Sequence, residues 1–148
     1  MGTHFKGTDK EERTLDAFIK LMRASETINN KLNRHLAEAN LTASQFGVLE
    51  ALFHLGSLNQ RSLAEKLLKS GGNITMVIDN LEKSDLVVRK RDPKDRRSIQ
   101  IYLTDKGKKL IKSFFPEHLE RIMEIFDSIS EKDKTELSRI CKQLGLDS

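Results

Sequence analysis

Apolar residues recur at helical spacing along most of this chain, and the period drops toward two in one central stretch. The first stripe is Leu15, Phe18, Ile19, Met22, Leu32 and Leu36. It predicts a helix that starts at Thr8 or Asp9, either of which can cap it, and runs to about Glu38. Asn40 suits its end, and Glu11 and Glu12 sit in the first turn, where the helix dipole favours acids. At about 1.5 Å per residue this helix spans roughly 40 Å, more than a domain of this size needs internally. Thr42 and Gln45 have capping-box spacing and open a second helix, with Phe46, Leu49, Leu52 and Phe53 inward and Gly56 at its end. Asn59 caps a third, whose apolar face is Leu63, Ala64, Leu67 and Leu68. Ser70-Gly71-Gly72 breaks the pattern. Ser70 or Asn73 then starts a fourth helix, with Ile74, Val77, Ile78 and Leu81 buried and Asn73, Thr75, Met76, Asp79 and Asn80 partly outward.

After Leu86 the alternation predicts a strand over Val87–Arg91 and a second over Ser98–Leu103, with Ile99, Ile101 and Leu103 on one face. The loop between them, Asp92-Pro93-Lys94-Asp95-Arg96-Arg97, has turn chemistry and only a proline ring to bury. Thr104 caps a fifth helix with a wide apolar surface from Leu110 to Phe126, which Pro116 should kink or split. Ser130 starts a sixth, with Leu137, Ile140, Cys141 and Leu144 inward and Gly145 at its end. The fold class is therefore mainly α with a small β-hairpin. A winged helix-turn-helix lobe over about 42–103 is flanked by long helices over about 9–38 and 104–146, with residues 1–8 as a flexible tail and 9–148 as one domain. The long helices carry more apolar surface than the small lobe can cover, which points to dimerisation through the chain ends.

Composition agrees with helices. Aromatics are 5% of 148 residues, there is no tryptophan, and charged residues reach 32%, which suits amphipathic helices better than a β-sandwich. The single cysteine, Cys141, excludes an internal disulfide and fits a reducing compartment. No segment approaches the ~20 apolar residues of a membrane span, and the N-terminus lacks the apolar core of a signal peptide. The expected location is the cytoplasm, without a membrane partner.

Charge placement says more than net charge. Ser57–Leu103 holds ten Lys/Arg against six Asp/Glu, so the whole excess of +4 falls in that third of the chain. A local excess of this kind attracts polyanions. A helix-turn-helix places its second helix in the major groove, where Asn73 can pair with adenine and Thr75 or Met76 can meet a base edge or a thymine methyl. The hairpin carries six cations in the nine residues Arg89–Arg97, and an arginine at such a tip can enter the minor groove. The candidate DNA-binding residues are Arg61, Ser62, Ser70, Gly71, Gly72, Asn73, Thr75, Met76, Asn80, Arg89, Arg91, Lys94, Asp95, Arg96 and Arg97.

The run from Leu86 to Ser98, continuing through Leu103-Thr104-Asp105-Lys106-Gly107, resembles the wing of the MarR family of bacterial transcription regulators. The Leu63–Leu67 and Ser70–Leu81 helices resemble that family in order and spacing. The resemblance covers roughly residues 11–144 as one MarR-type domain. It implies a homodimer, a pseudo-palindromic double-stranded operator, and control by a small molecule or oxidant. It makes Ser70–Asn80 the recognition helix and Asp95–Arg97 a carboxylate–arginine pair, with Arg97 in the minor groove. Many relatives have glycine where Asp85 stands, and some carry outward arginines where Met76 and Asn80 stand, so base preference does not transfer.

The resemblance also suggests an aromatic or phenolic effector in a cleft between the first, second and fifth helices. Met22, Phe46, Phe53 and Phe114 are candidate lining residues, though their spacing suits plain core better. Cys141 reads as a buried packing residue, and His4, His35, His54 and His118 as surface or helix-end residues without ligand spacing. No phosphate loop, catalytic constellation or metal cluster is visible, so no enzyme activity and no cofactor is expected. The chain reads as a dimeric, sequence-specific DNA-binding repressor released by a small effector. The competing reading is a winged-helix module for protein–protein contact or non-specific nucleic-acid binding.

Overall fold

The computed structural model describes residues 2–67 and 71–146. Its elements are α1 (Asp9–Glu38), α2 (Ala43–Leu55), β1 (Leu58–Asn59), α3 (Gln60–Lys66), α4 (Gly71–Lys83), β2 (Val87–Arg91), β3 (Ile99–Leu103), α5 (Asp105–Phe126) and α6 (Glu131–Cys141). A π-helical turn over Lys142–Leu146 follows.

Side-chain caps start the helices where the sequence places them. Thr8 and Thr42 each form a reciprocal capping box, with Glu11 and Gln45 respectively. Asn59, Thr104 and Ser130 accept backbone N–H groups of Ser62, Gly107 and Asp133 at 2.8, 3.0 and 3.1 Å. Thr104 also donates its hydroxyl to the Asp85 carbonyl at 2.6 Å, tying the start of α5 to the end of α4. Asp85 has φ 61°, the left-handed conformation that glycine adopts most readily, in the turn between α4 and β2. A Cβ on Gly107 would stand 2.1 Å from the Leu86 carbonyl oxygen, so only glycine lets α5 approach this turn.

The core sits in the winged lobe. Val48, Leu49, Leu63, Ile74, Ile78, Ile101 and Ile111 are fully buried, and Leu36, Phe46, Leu52, Leu81, Leu86, Val87 and Phe114 close around them.

Several expectations change. The predicted hairpin is a three-stranded antiparallel sheet in the order β1-β3-β2, because the two residues Leu58 and Asn59 pair with Ile101 and Gln100. A two-residue strand leaves no alternation to read. The expected break at Ser70–Gly72 does not extend through the glycines, since α4 begins at Gly71 and runs to Lys83. First-turn N–H groups need no helical partner, so glycine is tolerated there. Leu68 and Ser70 lie outside the described residues. Pro116 sits inside a continuous α5. The Lys112 carbonyl that it deprives of a hydrogen bond lies on an exposed turn, where water can serve it. Phe53, expected to face inward, is 40% exposed, and of the face that Ile99 shares with Ile101 only Ile101 is fully buried, Ile99 being 47% exposed. The inward face assigned to α6 is left uncovered by the described residues, and the helix holds no buried residue. Cys141 is half-buried, not buried, for the same reason.

Candidate nucleic-acid interface

Two surfaces of the winged lobe carry the sequence-predicted residues: the outward face of α4 and the tip beyond β2 and β3. On α4, Asn73, Met76, Asp79 and Asn80 are exposed. Thr75 is half-buried and engaged. Its hydroxyl accepts from the Gln60 side-chain amide and donates to the Gly71 carbonyl at 2.8 Å, which leaves its methyl group as the outward chemistry. Gly71 and Gly72 occupy the first turn with open space where a Cβ would stand. Ser70 lies outside the described residues.

On α3, Arg61 is exposed and forms a surface ion pair with Glu65 at 3.2 Å. The Ser62 N–H is spent on the Asn59 cap. A cleft of about 300 Å³ runs between the first turn of α2 and the face of α4, lined by Thr42, Ser44, Gln45, Asn73, Met76, Val77 and Asn80. The sequence reading missed the α2 side of this cleft. Its signal was the Thr42–Gln45 capping box, which was read only as a helix start.

The wing tip is built by its carboxylates. Asp92 accepts the Lys94 N–H at 2.9 Å, and Asp95 accepts the Arg97 N–H at 3.0 Å. The expected Asp95–Arg97 side-chain pair is therefore a correction. The Asp95 carboxylate holds the backbone of Arg97 and not its guanidinium, as suits a tip where water competes for exposed ion pairs. Arg91 donates to the Arg96 carbonyl at 2.8 Å and bridges the two arms of the wing. Lys94, Arg96 and Arg97 are exposed, and among the described residues no ion pair engages them. Arg89 differs from all three. Its guanidinium meets Asp79 and Glu82 of α4, both at 2.7 Å.

The candidate effector residues do not all converge. Phe46 and Phe114 are buried and meet edge to face at 5.6 Å. Met22 is 53% exposed on α1, and Phe53 meets His54 edge-on at the surface end of α2.

The histidine expectation also changes. His35 and His118 are buried, 2% and 5% exposed, and both stack on Phe114, while Phe46 meets His118 at a tilt. Burial, the nearby His35 and the charge of Arg121 together hold the His118 pKa below its ordinary value. Neither Nδ1 atom has a hydrogen-bond partner. The spacing of Phe114 and His118 on one α5 stripe was the available signal. A cleft of about 460 Å³ beside His35 is lined by Lys31, Arg34, Glu38, Arg121 and Glu124 with Leu32 and Ile125. Among the described residues no group of three or more His, Cys, Asp or Glu side chains is arranged to hold a metal. No helix among them is long and apolar enough to cross a membrane.

The model of the MarR family matches residues 41–99, which run from just before α2 to the first residue of β3. The HTH-type transcriptional regulator MhqR of Bacillus subtilis (strain 168) is 36% identical over 137 residues, covering 93% of this chain and 94% of that protein. This chain belongs to the MarR family of transcriptional regulators. Its architecture is the MarR winged helix, as Sco3205 from Streptomyces coelicolor illustrates. That protein, solved in complex with DNA, aligns with a TM-score of 0.84 at 21% identity, covering 95% of this chain and 89% of that one. NadR in complex with 4-hydroxyphenylacetate aligns with a TM-score of 0.73 at 26% identity over 97% of each chain. Membership in a family of MarR regulators agrees with the reading of a regulator, not an enzyme.

Proposed function

We propose that two copies of this chain form a cytoplasmic repressor that binds a pseudo-palindromic operator. The α4 helix enters the major groove through Asn73, Thr75, Met76 and Asn80, and Arg97 at the wing tip enters the minor groove. The observation that carries this reading is the contrast at the wing. Lys94, Arg96 and Arg97 are exposed and outside any ion pair among the described residues, on a tip whose backbone is ordered by Asp92 and Asp95. The exposed apolar stripes of α1, α5 and α6 support a two-copy assembly. The DNA complex of Sco3205 supports the mode of binding.

Release by a small aromatic effector is supported by the NadR complex with 4-hydroxyphenylacetate. In this chain the cleft beside His35, between α1 and α5, is the place for it, with Arg34 and Arg121 able to face an acidic or phenolic group.

A fluorescence-anisotropy titration tests the reading. The probes are a duplex from the promoter region of the chain's own gene and a random duplex, at ~150 mM salt. A preference of ~10³-fold or more is expected for the promoter duplex. Equal affinity for both would replace this reading with that of a non-specific nucleic-acid module.

A further inference from the structure

Arg89 stands apart from the other wing cations, and its partners explain two acids that are otherwise out of place. Asp79 and Glu82 lie one turn apart on α4, so both side chains reach the same side of the helix. Asp79 is the neighbour of Asn80 and lies one turn beyond Met76. A carboxylate there repels a polyanion. Both acids are held by Arg89: Nη2 donates to Asp79 Oδ1 and Nη1 to Glu82 Oε1, each at 2.7 Å. The second Glu82 oxygen accepts the Arg89 backbone N–H at 3.2 Å. The Arg89 side chain is 23% exposed, and two carboxylates against one guanidinium leave it no positive charge to offer a phosphate. Arg89 also lies opposite the fully buried Ile101 in the β2–β3 register, midway along the ribbon that ends in the wing tip.

We propose that Arg89 is a positioning residue that straps the wing to α4, with Asp79 and Glu82 as its anchors, so that helix and wing tip reach one DNA site together. This rests on the DNA-binding reading above. Each lobe makes two contacts, and a fixed angle between them makes the second contact effectively intramolecular. The fork geometry of the guanidinium is what serves two acids at once, which a lysine cannot reproduce. A half-exposed ion-pair cluster contributes little to stability, so its consequence is orientation and sequence discrimination.

The test uses full-length Asp79→Asn/Glu82→Gln, Arg89→Lys and Arg89→Met proteins, titrated on the promoter and random duplexes across a salt series. The first variant keeps the side-chain shapes, so it remains informative if Arg89→Met folds poorly. By charge alone it should tighten every DNA complex. The strap predicts a different pattern. Random-duplex binding tightens several-fold with a salt slope steeper by about one, as the freed Arg89 reaches a phosphate, while the promoter-to-random preference falls ~10-fold. Arg89→Lys loses preference to a similar extent. Equal tightening on both duplexes would overturn the proposal. So would an Arg89→Met protein that keeps its preference and loses one unit of salt slope, since that marks a phosphate contact.

A DNA-free measurement separates failure of the strap from failure of the DNA-binding reading. Spin labels on Lys83→Cys and Lys94→Cys, in a Cys141→Ser background and diluted with excess unlabelled chain so that each dimer holds one labelled copy, should give one narrow distance distribution that broadens in the Asp79→Asn/Glu82→Gln protein. An unchanged distribution would overturn the strap even if neither duplex is preferred.

Discussion

The winged lobe and the long helices dispose of their apolar residues in different ways. In the lobe, α2, α3, α4 and the sheet supply fully buried residues that face one another, such as Leu49, Leu63, Ile78 and Ile101. In α1, by contrast, only His35 and Leu36 are buried, both in the last turn against the lobe. Phe18, Met22, Leu119, Met123 and Leu144 are 57%, 53%, 45%, 59% and 69% exposed. One region completes its core within a single chain, and the other holds apolar residues that the described residues leave exposed. The lesson is that periodicity reports which residues want burial, and not which chain will bury them.

The largest expected effect lies within the lobe. Leu49→Ala should lower unfolding free energy by about 3–4 kcal/mol, whatever the protein concentration, in a urea denaturation series. Gly107→Ala should cost about 2–3 kcal/mol in the same assay, because its Cβ meets backbone, which cannot rotate away. Met123→Glu should do the opposite of Leu49→Ala. It leaves the lobe folded by circular dichroism but weakens self-association by ~30-fold or more, about 2 kcal/mol, in sedimentation velocity. A loss of secondary structure in Met123→Glu without a change in association would erase the distinction between the regions.

Smaller effects sharpen it. Gly72→Ala has open space and a helical place, so thermal stability should rise by about 0.5–1 kcal/mol. DNA affinity should fall if Gly72 is the DNA contact that the sequence suggests, since the added Cβ then stands between the first turn of α4 and the duplex. The smallest effect concerns the junction of the two regions. His118 is held neutral, with its pKa below the ordinary 6.5. Its contribution is therefore intact above 6.5. As pH falls through 6.5 the unfolded chain takes up the proton first, and stability declines until the folded pKa is passed. His118→Leu should flatten that decline in melts taken from pH 7.5 to 5.

Much of the fold was legible because the local signals were unambiguous. Thr42 with Gln45, Asn59, Thr104 and Ser130 mark helix starts by side-chain chemistry that acts within one turn. Val87–Arg91 has the bounds that its alternation predicts. The misses share a different cause: each depends on a neighbour far away in the chain. Leu58 and Asn59 become a strand only because β3 lies beside them. His35 and His118 stack across α1 and α5 through Phe114, a contact that no spacing within either helix displays. Arg89 resembled the other wing cations in sequence, and only the approach of α4 separates it from them.

The proposed division of labour has one direct test: hydroxyl-radical footprinting of the promoter duplex with the wild-type chain. Two copies joined by the long helices should protect two patches centred about 10 base pairs apart and related by a pseudo-twofold axis. A single protected patch, or protection spread evenly along the duplex, would contradict it.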